Sequence, residues 1–353
     1  MNNFFVPSNI RPSCRAGLML LASAALAGTL AIAGCSKSNN ATSSAASGKK
    51  MYTICLLPKE KDIPYFTSCA AGARAAAKQL GDVKLIYDGP VHGAATKAAA
   101  MIHKWTLQGV NVIAVSPNDP DVLAPAMKRA LKKGVHVITW DADGLPGTRQ
   151  YFVNQASARR IGYTLMDTLA KDIGPHPKGP IAIITATLTA ANQNAWIHFI
   201  KIRLKKYPGL KLVSIQPSHD DQRRAFQITQ HLLQAYPNLK GIIAVSSAAF
   251  PGAAEAIKQA GQSGKVQITG LSTPDDMRAY VLNGTVKSVI LWNTHALGAL
   301  TIRVAEALAS GKLKPGQKTF NAGPLGIKKI VGHQVLLGPL MVFNKKNIGK
   351  YHF

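Results

Sequence analysis

The sequence predicts an α/β fold with two doubly wound parallel-sheet lobes and a cleft between the lobes. Short apolar runs alternate with helix-length segments along most of the chain. These runs do not switch between apolar and polar residues, which is typical of strands buried on both faces of a parallel sheet. The strand and helix pairs form two clusters, each large enough for a sheet of its own.

Residues 1–34 have the features of a bacterial lipoprotein signal peptide. Arg11 and Arg15 precede an apolar stretch rich in Ala and Gly, which ends in small residues before Cys35. Cys35 is therefore the predicted lipidation site, and two acyl chains there suffice for a stable anchor. The alternative is a transmembrane helix, but the stretch is barely long enough to span a bilayer. We expect a membrane-anchored lipoprotein of the periplasm or cell envelope, on the inner or the outer membrane.

Residues 35–50 are predicted to be a lipidated flexible leash. They are small and polar, with no apolar side chain larger than Ala after Cys35, so they cannot bury enough surface to fold. The whole chain carries 42 Lys and Arg against 16 Asp and Glu, a net charge of +26. A basic balance of this size often indicates nucleic acid as the partner. Here a solvated basic surface is the better interpretation, because the protein is predicted to be exported and its basic residues are spread over helix faces.

The first cluster of elements begins after the leash. Each apolar run of strand length is followed by a segment with helical spacing. The predicted elements are strand Tyr52–Leu57, helix Phe66–Leu80, strand Lys84–Tyr87, helix Ala94–Gln108, strand Val110–Val115, helix Pro120–Lys133 and strand Val135–Trp140.

The second cluster repeats the same alternation. Its predicted elements are helix Ala156–Ile173, strand Ile181–Thr185, helix Gln193–Tyr207, strand Leu210–Ile215, helix Asp221–Tyr236, strand Gly241–Val245, helix Gly252–Gln259, strand Val266–Gly270, helix Asp275–Leu282, strand Val286–Trp292 and helix His295–Ser310. The segment 319–353 predicts irregular strands that close one lobe. Cys55 lies in a strand and Cys69 in the next helix; the compartment permits a disulfide between them, and their geometry leaves the pairing open.

Polar side chains follow many of the predicted strands, where open parallel sheets bind their ligands. They are Lys59, Ser116, Asn118, Asp141, Asp143, Thr187, Asn192, Gln193, Ser246, Ser247, Ser272, Thr273 and Asn293. Amides and carboxylates pair with hydroxyl groups, and an aromatic face such as Trp292 covers C–H surface, so this set suits a neutral polyol. Each residue also has a structural alternative, such as Asn192 capping a helix. Trp105 and Trp196 lie in mid-helix and are predicted to be core residues.

Enzyme and metal motifs are missing from the sequence. It contains no G-x-S-x-G, H-E-x-x-H, Walker A or G-x-G-x-x-G motif, and its ten His residues have no metal-ligand spacing. We therefore expect a binding protein rather than an enzyme, with no cofactor and no metal.

The chain resembles the type I periplasmic sugar-binding proteins of ABC importers, in the branch that holds autoinducer-2-binding and rhamnose-binding proteins. The resemblance covers nearly all of residues 51–353. The segments that carry it are Tyr65-Phe66-Thr67-Ser68, Tyr87-Asp88-Gly89-Pro90, Thr139-Trp140-Asp141-Ala142-Asp143, Asn192-Gln193-Asn194-Ala195-Trp196, Ser272-Thr273-Pro274 and the closing run from Phe343 to Tyr351.

This resemblance implies two lobes joined at a hinge by three crossovers, with the N-terminal lobe at 52–153 plus 272–318 and the C-terminal lobe at 154–271 plus 319–353. Lys59, Asp141 and Gln193 match the autoinducer-2 site of that branch. Asn192, Val245 and Ser247 stand where that site has Asp, Pro and Ala, so the same hydroxyl pattern is not held identically. The predicted ligand-binding residues are Lys59, Phe66, Asp141, Asp143, Asn192, Gln193, Val245, Ser247, Trp292 and Asn293.

The function implied is a monomeric substrate-binding lipoprotein that binds a rhamnose-like monosaccharide in the cleft and delivers it to the permease subunits of an ABC importer. Alternatives are an autoinducer-2-binding protein or a sugar-sensing subunit of a signalling receptor. A repressor with the same core needs a helix-turn-helix at the start, where this chain has a signal, so no nucleic acid is expected. A glycosidase needs two facing carboxylates, whereas Asp141 and Asp143 lie on one side of the cleft.

Overall fold

The computed structural model describes residues 50–353, where parallel strands alternate with helices along most of the chain. The predicted signal peptide, Cys35 and the leash before Lys50 lie outside these residues. The α/β class is confirmed. Among the described residues, no helix has the length and apolar character needed to cross a membrane.

The first sheet is built from the beginning of the chain. Its strands β1, β3, β4 and β5 are buried almost throughout, as the continuous apolar runs predict. The elements are β1 Tyr52–Leu57, α1 Pro64–Leu80, β2 Val83–Tyr87, α2 Ala95–Leu107, β3 Val112–Val115, α3 Pro120–Lys132, β4 His136–Trp140 and β5 Tyr151–Asn154.

Local signals set the helix ends in this half. Pro64 begins α1, where a residue without a backbone N–H costs nothing. Gly81 ends α1 at a φ of 69°, a conformation that favours glycine. The Asp119 carboxylate caps α3 by accepting from the backbone N–H groups of Asp121 and Val122.

Strand β5 was not predicted, and it enters the sheet without a helix between it and β4. The two strands pair in parallel, and the connection is the loop 141–150. Arg149 holds this loop through a two-pronged contact with the Asp143 carboxylate, at 2.8 Å and 2.5 Å. The prediction that a helix separates all successive strands is therefore wrong here.

The second sheet has the strand order β7-β6-β8-β9, all parallel. Its elements are α4 Ala158–Ile173, β6 Gly179–Thr185, α5 Ala191–Leu204, β7 Leu210–Pro217, α6 Gln222–Ala235, β8 Gly241–Ala244, α7 Ala249–Gln259, β9 Gln267–Gly270 and α8 Pro274–Leu282.

The end of the chain extends the first sheet and adds a small sheet beside the second. Its elements are β10 Val289–Leu291, α9 Thr294–Ala309, β11 Thr319–Asn321, β12 Ile327–Val331, β13 Gln334–Leu336 and β14 Met341–Phe343. Strands β11, β12 and β13 extend the first sheet, whose order is β11-β12-β13-β5-β4-β3-β1-β2. Strands β10 and β14 pair in a two-stranded sheet, and Ile290 of β10 forms an isolated bridge to Leu271, the residue after β9.

This pairing differs from the predicted division of the lobes. Residues 319–336 were expected in the C-terminal lobe but pair with the first sheet, and β10 was expected in the N-terminal lobe but lies beside β9. Periodicity shows that a segment is a strand but does not show which strand it pairs with. We propose that the crossovers between lobes follow β5, β10 and β13.

Helices α1 and α9 pack closely because glycines lie at their contact. A Cβ added to Gly298 would lie 1.8 Å from the carbonyl oxygen of Cys69, and one added to Gly72 would lie 1.9 Å from that of His295. A side chain at either position would push the helices apart. This contact fixes the start of α9, and with it Trp292, against the start of α1.

Cys55 and Cys69 are free and buried. Burial raises the pKa of the Cys55 thiol to about 12 and also raises that of Cys69. We expect neither thiol of residues 50–353 to react with Ellman's reagent in the native protein, and both to react in guanidinium. A native protein without reactive thiols that also shows none after unfolding would reveal a disulfide instead.

Candidate functional site

A cavity open to solvent lies where the carboxyl ends of the two sheets meet. Side chains from the first sheet, the second sheet and the end of β10 surround it. They are Lys59, Ile63, Tyr65, Phe66, Asp141, Asn192, Gln193, Trp196, Asp220, Val245, Ser247, Leu271, Leu291 and Trp292.

Asp141 is the central carboxylate on the first-sheet side. It follows β4 in a tight turn at a φ of 62°, which Asp tolerates better than most residues. Its Oδ1 accepts from the Tyr65 hydroxyl at 2.9 Å and its Oδ2 accepts from the Ser116 hydroxyl at 2.9 Å. The ammonium group of Lys59 lies 3.7 Å from Oδ2. The buried charge is therefore both paired and hydrogen-bonded, as burial requires.

Lys59 also connects the two sides of the cavity. Its Nζ donates to Oδ1 of Asn192, at the start of α5, over 2.9 Å. The Asn192 amide group lies 3.4 Å from the backbone oxygen of Asp141. Asn192 thus contacts the first-sheet side through both ends of its amide.

Gln193 presents a hydrogen-bond donor on the second-sheet side. Its Oε1 accepts from the Thr185 hydroxyl at 2.6 Å and from the backbone N–H of Ala186 at 2.7 Å. Within residues 50–353 its Nε2 has no protein partner. An amide held this way offers a fixed N–H donor to a ligand.

Asp220 is a second carboxylate at this site. It lies in the loop between β7 and α6 and accepts from the Ser246 hydroxyl at 2.5 Å. Ser246 in turn accepts from the backbone N–H of Ala249 at the start of α7. The network fixes an acceptor on the second-sheet side, across the cavity from Asp141.

Four aromatic rings form the apolar wall. Tyr65 meets Phe66 and Trp292 edge to face, with ring centroids 5.0 Å and 5.9 Å apart. Trp292 also meets Trp196 of α5 at 6.0 Å, and its indole N–H donates to the Tyr65 hydroxyl at 3.0 Å. Trp292 therefore contacts helices from both sides of the cavity.

The sequence of this domain matches a known family model. The periplasmic binding protein domain matches residues 54–313, which is most of the chain. The chain belongs to the periplasmic binding protein family. This match, together with the relatives described next, confirms the resemblance to type I periplasmic sugar-binding proteins and the expectation of a binding protein rather than an enzyme.

Relatives of known structure share this fold. A solute-binding protein of an ABC transporter from Clostridium phytofermentas, solved with L-rhamnose, is 30% identical with a TM-score of 0.81, over 85% of this chain and 98% of that one. The protein LsrB from Clostridium saccharobutylicum, solved with AI-2, is 27% identical with a TM-score of 0.80, over 85% and 100%. The ribose import binding protein RbsB of Escherichia coli is 26% identical over 79% of this chain and 90% of its own.

Most of the predicted ligand-binding residues of this periplasmic binding protein lie together. Eight of them line the cavity, namely Lys59, Phe66, Asp141, Asn192, Gln193, Val245, Ser247 and Trp292. Asp143 and Asn293 do not. Asp143 is held by Arg149 and accepts from Thr139 Oγ1 at 2.7 Å, and Asn293 caps α9 by accepting from the backbone N–H of Ala296.

Several residues that line the cavity were not identified from the sequence. Tyr65 and Ile63 precede or begin a helix, Leu271 and Leu291 end strands, and Asp220 lies in a loop. Trp196 was predicted to be core; it is buried and also lines the cavity. Tyr65 belongs to a segment that carries the family resemblance. Asp220 follows a strand, so its position after a strand end could have identified it.

The pH dependence of protein stability tests whether the Asp220 carboxyl group has a raised pKa in the folded protein. Burial raises the pKa of its carboxyl group. The hydrogen bond from Ser246 and the charge of Lys59 offset part of this increase. Because the folded state holds this proton more tightly than the unfolded state, the Asp220 contribution to stability falls as the pH rises from the ordinary Asp pKa through the raised one. We expect Asp220→Asn to raise Tm at about pH 7 and to leave it unchanged at about pH 3. Differential scanning fluorimetry measures both, and a lower Tm of the variant at pH 7 would contradict the account.

No group of His, Cys, Asp and Glu side chains in residues 50–353 is arranged to hold a metal ion. The polar groups of the cavity include two carboxylates, two amides, an ammonium group and the hydroxyl groups of Tyr65 and Ser247, all of which can hydrogen-bond to the hydroxyl groups of a ligand.

Proposed function

We propose that this protein is the substrate-binding lipoprotein of an ABC importer and that it binds a monosaccharide in the cavity for delivery to the permease. The observation that carries the proposal is the pairing of fixed donors and acceptors with an aromatic wall at one site. Sugar hydroxyl groups donate and accept, and the C–H faces of a sugar ring stack on aromatic rings. The relatives solved with L-rhamnose and AI-2 support a small polyhydroxylated ligand.

The cavity position supports a closure mechanism. Asp141 and Lys59 come from one sheet, and Gln193 and Asp220 come from the other. A sugar that contacts both sets binds the closed form more tightly than the open form, and so shifts the population toward closure. The permease would recognise the closed form.

A rhamnose-like sugar is the favoured ligand. The relative solved with L-rhamnose is 30% identical, and the chain departs from the autoinducer-2 pattern at Asn192, Val245 and Ser247. Asn192 supplies an amide N–H where a carboxylate would supply an acceptor. Autoinducer-2 is the second candidate. A sensing subunit that reports the sugar to a receptor would use the same site. In either role we propose Cys35 as the lipid anchor.

Thermal-shift screening of residues 50–353 against monosaccharides tests the proposal. A ligand that binds only the folded state raises Tm by mass action. We expect L-rhamnose or a related sugar to raise Tm and to bind in calorimetry. If autoinducer-2 raised Tm and no monosaccharide did, the second candidate would be favoured. If none of these compounds raised Tm, the proposal would be wrong.

The Gln193 donor gives a site-specific prediction. Gln193→Glu keeps the acceptor for Thr185 and Ala186 but replaces the Nε2 donor, so we expect sugar affinity to fall about tenfold. Asn194→Asp makes the same chemical change on the next, exposed residue of α5; it removes the Asn194 donation to the Leu188 carbonyl oxygen but no contact with the cavity, and it should leave affinity unchanged. Equal losses in both variants, measured by calorimetry, would assign the effect to charge on α5.

A further inference from the structure

Exposed basic side chains collect at one end of the first sheet. Strands β1 to β5 are parallel, so their amino ends share one edge, and α1, α2 and α3 end beside it. This edge, named here the outer edge, lies opposite the cavity. Its exposed basic residues are Lys50, Lys78, Lys84, Lys104, Lys128, Arg129, Lys132, Lys133, Lys312, Lys314 and Lys318.

Acidic side chains are segregated away from the outer edge. Within residues 50–353 the acids at that edge are Asp82 and Glu306, and both are buried. Glu306 is also paired with Lys312 at 2.8 Å. The other acids of the first-sheet elements follow strand ends on the cavity side: Glu60, Asp62, Asp88, Asp119, Asp121, Asp141 and Asp143.

The chain enters the described domain at this same edge. Lys50 precedes the first residue of β1, whose amino end lies there. Cys35 is fifteen residues earlier in the sequence. Fifteen extended residues span at most about 50 Å, so a lipid on Cys35 would keep the outer edge within reach of a bilayer.

We propose that the outer edge binds the anionic phospholipid headgroups of the bilayer to which the amino-terminal segment leads. Each Lys or Arg near an anionic membrane surface strengthens binding roughly fivefold, so several together give a measurable contact. Helix C-termini favour basic residues in general, and exposed lysines also lie at the equivalent edge of the second sheet, including Lys205, Lys206 and Lys240. The two edges differ in that only the outer edge lies beside the point where the chain enters the domain. The edge of the second sheet therefore serves as the control surface in the experiment below.

Lysine footprinting of a tethered protein tests this orientation. The chain from Cys35 to Phe353 is coupled through Cys35 to a maleimide phospholipid; Cys55 and Cys69 are buried and do not compete. Vesicles are pure phosphatidylcholine, or contain about 30% phosphatidylglycerol. Acetylation rates by N-hydroxysuccinimidyl acetate are read by mass spectrometry at each lysine. The tether is chemical, so the test depends neither on sugar binding nor on lipidation in the cell.

We expect Lys104, Lys132 and Lys133 to be acetylated at least about threefold more slowly on the anionic vesicles than on the neutral ones, and the difference to vanish at about 0.5 M NaCl. Lys205, Lys206 and Lys240 should react at the same rate on both. In the variant Lys104→Gln/Lys132→Gln/Lys133→Gln, the protection of Lys78 and Lys84 should weaken. Equal rates on both vesicles, or equal protection of the two edges, would overturn the proposal.

Discussion

Asp141→Asn should reduce sugar affinity about a hundredfold, the largest binding effect expected of any single substitution in the cavity. The carboxylate is held by Tyr65 and Ser116 and lies beside Lys59. A charged acceptor binds a hydroxyl group more strongly than an amide does, and loss of the charge also releases Lys59 from its carboxylate partner. Titration calorimetry with the sugar selected by screening measures the change.

Asp143→Asn is the matched control because it makes the same change two residues away, outside the cavity lining. It weakens the contact with Arg149 and should lower Tm while leaving sugar affinity within about threefold of the wild-type value. If Asp143→Asn weakened binding as much as Asp141→Asn, the 141–150 loop as a whole, rather than the Asp141 carboxylate, would control the site.

Trp292→Ala should lower the free energy of unfolding by about 3 to 5 kcal/mol, the largest stability loss we expect from one substitution. The Trp292 side chain is 1% exposed and packs against Tyr65 on one side and Trp196 on the other. Its removal leaves a cavity beside the ligand site and leaves the Tyr65 hydroxyl without its indole donor. Urea unfolding of residues 50–353 measures the loss.

Trp292→Phe separates packing from hydrogen bonding. It keeps most of the ring contacts and removes the indole N–H, so its loss should be about 1 to 2 kcal/mol. A loss below about 1 kcal/mol for Trp292→Ala would show that Tyr65 and Trp196 do not depend on the indole, contrary to the account.

The sequence predicted the fold class because parallel sheets buried on both faces leave a strong signal. The runs Tyr52–Leu57 and Val112–Val115 are continuous and largely apolar, and both are interior strands of the first sheet. Strand β5 escaped prediction because it follows a helix-free loop. Strand β10 was predicted with wider bounds, as Val286–Trp292, and β14 lies in the segment 319–353, where three-residue strands have too little periodicity to be placed individually. The pairing of the last strands was not predictable from any local pattern.

The candidate site was predictable to the extent that its residues follow strands. Lys59, Asp141 and Gln193 were identified from their positions and line the cavity. The same rule included Asp143, whose carboxylate is taken by Arg149, because sequence position does not show which partner a charge finds. Tyr65 was not identified, because its role depends on a hydrogen bond from Trp292, more than two hundred residues away in the sequence.

A crystal structure of residues 50–353 with the sugar that raises Tm most would show directly where the ligand binds. We expect one sugar ring between the Asp141 carboxylate and the Gln193 amide, with a ring face against the aromatic wall of Tyr65, Phe66, Trp196 and Trp292. Density for the sugar elsewhere on the protein, with this cavity unchanged from the unliganded form, would contradict it.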